Sequence, residues 1–162
     1  GVVWAGNSRH KGDRQRSLAA EAVLPRLIVP GAQLYSLQKE PRPEDGPVLR
    51  RLAGNVVDLA PALGDFADTA AAIVALDLVI AVDTSVAHLA GALGRPVWLL
   101  CPYALDWRWL RDREDTPWYP TMRLFRQHKP QAWERVLARV SAELARVAAG
   151  ERELLLPPVA RA

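Results

Sequence analysis

The sequence predicts an α/β fold in which a doubly wound parallel sheet carries helices on both faces. Strand-like apolar runs alternate with helical patterns along almost the whole chain of 162 residues, which is typical of βαβ units. Several of these runs are apolar throughout, as in strands buried on both faces. The length suffices for one α/β domain with a core and is too short for two ordinary domains. Right-handed crossovers between parallel strands then lead to the doubly wound arrangement.

Six segments have the composition of strands, and the apolar run LDLVIAV shows the strongest pattern among them. The predicted strands are Gly1–Gly6, Gln33–Leu37, Val56–Leu59, Leu76–Val82, Pro96–Leu100 and Met122–Phe125. Between the second and third strands, Pro41–Pro47 holds three prolines, a glycine and three charges, which predicts a surface loop.

Two helices are predicted in the first half of the chain. Ser17 is a suitable cap for the first, which Pro25 should break or restart before Pro30 and Gly31 stop it. The second begins where Asp65, with Asp68 three residues later, supplies an N-terminal cap. Its apolar positions on one side are Phe66, Ile73 and Leu76.

Two further helices are predicted in the second half. Asp83–Ser85 consists of good capping residues, and apolar side chains then repeat at helical spacing until Gly94. The last helix starts near Pro130 and ends before Gly150. Its predicted buried stripe contains Trp133, Val136, Leu137, Val140, Leu144 and Val147.

The positive charge of the chain is concentrated in one short loop. Twenty-one basic and eighteen acidic residues give a net charge of +3. Arg9, Lys11, Arg14 and Arg16 stand against Asp13 there, so the rest of the chain sums to zero. A compact cluster after a strand suits a small anion such as phosphate, whereas nucleic-acid binders spread their basic residues over a face. Nucleic-acid binding, which only the basic isoelectric point favours, is therefore not expected.

Several classes of protein are disfavoured by what the sequence lacks. Cys101 is the single cysteine and three histidines are scattered, so neither an intrachain disulfide nor a protein-held metal cofactor is expected. No Gly-x-Gly-x-x-Gly, Walker or Gly-x-Ser-x-Gly sequence occurs, which disfavours NAD, FAD, P-loop and serine-hydrolase chemistry. No apolar stretch is long enough to span a membrane. With no leader pattern before the first strand, we expect a cytoplasmic location and an excised piece of a longer protein.

Two loops at the carboxyl edge of the predicted sheet are the candidate site, because ligands bind there in open α/β sheets. Asn7–Arg16 follows the first strand and Asp83–Ser85 joins the fourth strand to a helix. Free N–H groups and the helix dipole favour an anion at such a helix start. If Lys11 or Arg14 reaches across, a diphosphate would lie between a cation and a helix. The alternatives are an ordinary helix cap, a packed His88 and a solvated basic loop.

The segment VDTSVAHLAGALGRPVWLL, Val82–Leu100, resembles the signature of the heptosyltransferase-like glycosyltransferases of family 9. With Trp4–Ser17, Asp65–Ile73 and Asp106–Gln127, the order of motifs is similar to the glycosyltransferase domain found after tetratricopeptide repeats in bacterial proteins. The resemblance extends from Gly1 to about Gly150. It implies a Rossmann-like domain forming the C-terminal, donor-binding half of a GT-B enzyme.

The resemblance also implies a reaction and a set of site residues. Family members transfer a sugar from a nucleotide diphosphate sugar with inversion and without a bound metal or other cofactor. An ADP- or UDP-linked donor is the expected partner. Lys11 matches the basic residue that stabilises the departing phosphate, which gives it the catalytic role. The donor-binding candidates are Asn7, Arg14, Arg16, Gln38, Asp83, Thr84, Ser85, His88 and Asp106.

One departure from the family concerns the catalytic base, which lies on an N-terminal acceptor domain absent from this sequence. We therefore expect the isolated chain to bind a donor without turning it over. Where the family often has an acid for the ribose, Gln38 and Lys39 stand here, which leaves the choice of nucleotide open. The alternative function is a non-catalytic module that keeps the fold and binds a protein partner.

The remaining expectations concern the aromatic residues and the end of the chain. Trp98 and Trp133 are expected in the core, and local packing is favoured for the aromatic residues of the segment after the fifth strand over stacking on a base or lining the acceptor cleft. These are Trp107, Trp109, Trp118 and Tyr119. The predicted domain covers 1–150, and 151–162 is a tail that either packs against the absent domain or is loosely ordered.

Overall fold

The computed structural model describes residues 1–104 and 106–158, which contain one sheet of six parallel strands. The strands lie in the order β3-β2-β1-β4-β5-β6. Their bounds are β1 Val2–Val3, β2 Leu34–Ser36, β3 Val56–Asp58, β4 Val79–Val82, β5 Val97–Cys101 and β6 Met122–Arg126. The strand order reverses between β1 and β4, so the carboxyl ends of these two neighbours face the crevice in which such folds bind ligands. The predicted doubly wound, Rossmann-like α/β fold is confirmed.

Helices cover both faces of the sheet and divide the core into two layers. The helices are α1 Asp13–Arg16, α2 Ala20–Leu27, α3 Asp45–Arg51, α4 Phe66–Val74, α5 Ser85–Ala92 and α6 Trp133–Ala148. Alternation along β4 sends Ile80 and Val82 into the layer under α2, α3 and α6, and Val79 and Ala81 into the layer under α4 and α5. The strands are apolar throughout because both faces of the sheet are covered.

The first helix of the prediction begins later than expected. Ser17 does not cap it, because its hydroxyl accepts the Gly6 N–H and donates to Asp13, and α2 starts at Ala20. Pro25 lies inside α2 without ending it, since the helix continues to Leu27. A proline in this position removes one helical N–H donor, and the buried apolar face of α2 holds the last turn against the sheet.

Two other expectations are wrong in part. The predicted loop Pro41–Pro47 already contains the start of α3, where Asp45 is only 1% exposed and accepts hydrogen bonds from Trp4, from Ala20 and from Arg42 of the same loop. The cap of α4 is confirmed as a reciprocal capping box between Asp65 and Asp68. However, Phe66 is 62% exposed, while Ile73 on the same helix is fully buried. A residue in the first turn of α4 lies beyond the edge of the core layer, and periodicity does not show where that edge falls.

Part of the C-terminal segment packs on the same domain. Arg152–Leu155 forms a 3₁₀ turn, Leu155 is buried against α6, and its carbonyl accepts the indole N–H of Trp98. This contact places at least one residue of the predicted tail in the core. Residues 159–162 lie outside the described part of the chain, and the boundary at Gly150 stays a prediction.

Candidate functional site

Two open clefts lie side by side at the switch point between β1 and β4. One, here called the Asp83 cleft, has a volume of about 400 Å³, and the other, the Gln38 cleft, about 390 Å³. Both are lined by Arg16, Thr84 and Ser85, so these residues form the ridge between the clefts. The two loops singled out from the sequence therefore meet in the structure.

The start of α5 lacks a side-chain cap. Thr84 occupies the N-cap position, but its hydroxyl makes no capping hydrogen bond to the helix. Its Oγ1 atom is buried and has no hydrogen-bond partner among the described residues. The first N–H groups of a helix have no intrahelical acceptors, and they carry the positive end of its dipole. An eight-residue helix with an uncapped start at the edge of two clefts is suited to an anionic ligand.

Arg16 joins the two loops across the crevice. It is the last residue of α1, and its Nη1 atom donates to the carbonyl oxygen of Asp83 at 2.7 Å. Its buried Nε atom lies 3.9 Å from Oδ1 of Asp13 and makes no hydrogen bond among the described residues. A Cβ atom at Gly6 would lie 2.8 Å from Nη2 of Arg16, so the glycine that ends the first apolar run permits this close approach. The guanidinium is thus held beside the start of α5.

Both oxygens of the Asp83 carboxylate face side-chain nitrogen atoms, one on Trp109 and one on His88. Its Oδ2 atom accepts the indole N–H of Trp109 at 2.9 Å, and its Oδ1 atom lies 3.5 Å from Nε2 of His88. Burial favours the neutral acid, but the contacts with His88 and Trp109 outweigh it and hold the pKa of Asp83 below its ordinary value. Asp83 is therefore a carboxylate at neutral pH.

His88 lies in the first turn of α5 between three other side chains. Its Nδ1 atom is 3.0 Å from the Tyr119 hydroxyl oxygen, and its ring stacks on Trp109 at 5.3 Å between centroids. His88 packs in this cluster and also lines the Asp83 cleft. It can therefore be both a packed histidine and a residue of the candidate site.

Two of the basic residues predicted for the site stand apart from the cleft linings. Lys11 and Arg14 are exposed, and the linings described for the two clefts do not include them. Lys11 is nevertheless flanked by His10 and Gly12, both of which line the Asp83 cleft. Among the four basic residues of the loop, Arg16 is the one at the ridge.

The other candidates divide between the two clefts. Asn7 lines the Gln38 cleft and accepts the Arg9 N–H through its side chain. Gln38 also lines it, but is largely buried and accepts the Ala5 N–H through Oε1, which ties β2 to β1. Asp106 lines the Asp83 cleft and caps the 3₁₀ turn Trp107–Trp109.

Several polar or charged residues of the clefts were not among the predicted donor-binding residues, although Gln15 lies in the predicted loop Asn7–Arg16 and Lys39 stands beside Gln38. Arg108 and Gln15 line the Asp83 cleft, and Lys39 and Arg42 line the Gln38 cleft. Each lies in a segment that follows the carboxyl end of a strand, between 3 and 12 residues after the last residue of that strand. The position of these loops at the ligand edge was therefore predictable, while the direction of each side chain was not.

The tryptophans fall into three environments. Trp98 and Trp133 are buried as expected. Trp109 is fully buried, which agrees with local packing. Trp107 and Trp118 are 69% and 54% exposed and contact each other edge to face at 5.9 Å between centroids.

The buried thiol of Cys101 is not set up as a nucleophile, because burial raises its pKa to about 12.

Across residues 1–104 and 106–158, no group of three or more His, Cys, Asp or Glu side chains is arranged to hold a metal ion. In the same residues, none of the helices combines the length and apolarity needed to cross a bilayer.

Comparison with known proteins agrees with the class of fold. Residues 33–100 match the family model of glycosyltransferase family 9 (heptosyltransferase). This match suggests a role in sugar transfer and confirms the resemblance over β2 to β5. It covers a narrower range than expected, since the loop after β1 and the segment after β5 lie outside it.

A curated relative gives a second, partial similarity. The chain is 39% identical over 80 residues to Protein FlbA of Caulobacter vibrioides (strain ATCC 19089 / CIP 103742 / CB 15). The aligned part is 49% of this chain and 13% of that protein, so the similarity concerns a small part of a much longer relative. No solved structure matches the chain. The tetratricopeptide-repeat context stays a prediction.

Proposed function

We propose that this chain is the donor-binding domain of an inverting, metal-independent glycosyltransferase. Its donor would be a nucleotide diphosphate sugar, in which the sugar is linked to ADP or UDP. The observation that carries the proposal is a pair of buried polar atoms on the ridge beside the uncapped start of α5, Arg16 Nε and Thr84 Oγ1, which make no hydrogen bond among the described residues. Buried polar groups are costly when they are unpaired. A bound diphosphate would supply their missing partners.

The chemistry of the ridge fits a leaving diphosphate. Negative charge develops on the phosphate as its bond to the sugar breaks, and donors fixed beside that phosphate stabilise the charge. Arg16 contributes a guanidinium, and the start of α5 contributes backbone N–H groups. In this proposal Lys11 approaches from the exposed loop and adds a second cation at the departing phosphate.

The rest of the enzyme is part of the same proposal. The chain would be the C-terminal half of a GT-B enzyme, and the acceptor site and catalytic base would lie on an N-terminal domain. The ridge faces open clefts on both sides, so donor and acceptor can approach it from different directions. We expect the chain alone to bind nucleotides and not to transfer sugar.

Calorimetric titration with ADP, UDP, GDP and CDP and with their sugar conjugates tests the proposal. We expect at least one nucleotide diphosphate to bind, and Arg16→Ala to weaken it about tenfold, as expected for the loss of a charged hydrogen-bond donor. Lys11→Ala is expected to weaken it to a similar extent. Arg16→Lys, which keeps the charge, should recover part of the loss.

The matched controls are Arg50→Ala on α3 and Lys129→Ala, which remove exposed cations that are not among the described cleft linings. Both controls should bind as tightly as wild type. Equal affinity of Arg16→Ala and wild type would contradict the proposal.

The exposed aromatic pair Trp107 and Trp118 favours a second candidate, a non-catalytic module that binds a protein partner. Exposed tryptophans are enriched at protein interfaces, and both belong to the segment that follows β5, as do the cleft residues Asp106 and Arg108. If no nucleotide shifts the melting temperature at millimolar concentration, this candidate becomes the better one.

A further inference from the structure

The segment that follows β5 provides two side chains that fix the groups at the start of α5. Trp109 and Tyr119 lie ten residues apart in this segment, and both contact residues of the loop after β4 or of α5. The match to the glycosyltransferase family ends at Leu100, so it does not extend to either aromatic residue.

Two independent contacts set the position of Tyr119. Its hydroxyl oxygen is 3.0 Å from Nδ1 of His88. Its ring lies against Gly91, where a Cβ atom would be 2.6 Å from the ring atom Cγ, closer than side chains approach one another. A glycine one turn beyond His88 therefore lets the ring pack closely on the α5 backbone.

Two contacts likewise set the position of Trp109. Its indole N–H donates to Oδ2 of Asp83 at 2.9 Å, and its ring stacks on the His88 imidazole. Because the side chain is fully buried, the indole N–H needs an acceptor, and Asp83 provides it. The Asp83 carboxylate thus has one oxygen on Trp109 and the other facing His88.

We propose that Trp109 and Tyr119 are positioning residues, which fix the His88 imidazole with its Nε2–H toward Asp83 and keep both oxygens of the Asp83 carboxylate engaged by side chains. Nε2 faces an anionic oxygen and so carries the proton, while Nδ1 faces a hydroxyl that can donate to it. Trp109 then acts on the start of α5 through Asp83, and Tyr119 acts on it through His88.

The consequence for binding rests on the proposed function. An aspartate next to a helix N-terminus is itself an anion that the free N–H groups can attract. With Trp109 and His88 engaging both of its oxygens, Asp83 leaves these N–H groups uncapped. A ligand phosphate then meets donors that no internal carboxylate already occupies. Arg16, Arg108, Asp106 and His10 are the other titratable groups that line the cleft beside His88.

Nuclear magnetic resonance of the 162-residue chain tests the positioning directly. Long-range ¹H–¹⁵N spectra report the tautomer of His88, assigned with His88→Gln, and carbonyl ¹³C signals report the titration of Asp83. We expect a proton on Nε2 in wild type, a changed tautomer balance in Tyr119→Phe, and a raised pKa of Asp83 in Trp109→Phe. A proton on Nδ1 in wild type, or an unchanged titration in Trp109→Phe, would overturn the proposal.

Binding of ADP and UDP to the same variants tests the consequence. Trp109→Phe and Tyr119→Phe should each weaken binding about fivefold, the effect of losing one hydrogen bond. The matched controls Trp118→Phe and Tyr103→Phe alter exposed rings and should bind like wild type. If wild type binds and all four variants bind equally, the positioning role is refuted. If wild type binds neither nucleotide, the proposed function is what fails, and the His88 and Asp83 signals still decide the positioning.

Discussion

The helices α4 and α5 pack on the same face of the sheet, yet they begin in opposite ways. At the start of α4, Asp65 accepts two backbone N–H groups, and Asp68 accepts in return, so the helix is capped by its own sequence. At the start of α5, Thr84 stands in the capping position and caps nothing. Both sequences offer suitable capping residues, so composition does not explain the difference.

What differs is the tertiary surroundings of the two starts. The start of α4 is exposed to solvent, and the Asp65 side chain accepts the N–H groups of Ala67 and Asp68 there. The start of α5 lies between two clefts beside the guanidinium of Arg16. A capping residue that makes no hydrogen bond to its helix, at the edge of a cleft, is therefore a sign of a ligand site. A capping residue that does make these hydrogen bonds indicates a role in stability.

A third helix start shows how strongly this fold uses capping for stability. The N–H of Ala20, which opens α2, donates to Asp45 on α3, and the same carboxylate accepts the Trp4 indole and the Arg42 N–H. Asp45 is almost fully buried. It caps α2 from a distant segment and leaves no space for a ligand.

The largest expected effect is that of Asp45→Ala on stability. The substitution leaves the Trp4 and Ala20 donors buried without an acceptor, and we expect a loss of about 3 kcal/mol or more in the free energy of unfolding. Urea unfolding followed by tryptophan fluorescence measures it. The neighbouring exposed Glu44→Ala is the control and should change little. If Asp45→Ala lowers the free energy of unfolding by less than about 0.5 kcal/mol, as an ordinary surface substitution does, Asp45 is not a structural cap.

The next effect separates binding from stability at the start of α5. Thr84→Val removes a hydroxyl that has no hydrogen-bond partner within residues 1–104 and 106–158, so we expect stability to change by less than about 0.5 kcal/mol. Binding of a nucleotide diphosphate should weaken about fivefold, because the ligand loses one donor. Calorimetry and thermal unfolding of the same samples give both values. A marked loss of stability with unchanged binding would reverse the assignment.

Asp65→Ala should have the opposite pattern of effects, with lower stability and unchanged binding. It removes the cap of α4, and we expect the melting temperature to fall by about 2–4 °C for a chain of this size. Nucleotide binding by the folded chain should be unchanged. Asp65→Ser, which keeps a capping oxygen, serves as the matched variant and should recover most of the loss. Weaker binding in Asp65→Ala would show that the two helix starts are not independent.

The smallest expected effect is the contribution of Asp83 to the free energy of unfolding at acidic pH. The folded-state pKa of Asp83 lies below 3.8 because the His88 and Trp109 contacts outweigh burial. The folded chain therefore binds fewer protons than the unfolded chain near pH 4. The stability that Asp83 contributes is complete above about pH 4 and is lost as the pH falls through the lowered value. The difference between wild type and Asp83→Asn should accordingly shrink below pH 4, and a constant difference would argue against an ionised Asp83.

Much of the fold follows from local patterns. The capping box at Asp65 and the helical stripe of α6 were predictable, because capping and periodicity act over a few residues. The start of α3 was not predictable in this way, because two of the three hydrogen bonds to Asp45 come from residues 25 and 41 positions away in the chain. Proline-rich composition predicted a loop there, and tertiary hydrogen bonds determined a helix.

The candidate site divides in the same way. The sequence alone predicted that the loops after β1 and β4 meet, because parallel strands with right-handed crossovers bring their carboxyl ends to one edge. It also indicated a cluster of positive charge in the first loop. Only the tertiary structure determined that Arg16 is the basic residue at the ridge and that Trp109 and Tyr119 contact Asp83 and His88. Chain order fixes which loops share an edge, but the direction of each side chain depends on packing between residues far apart in the sequence.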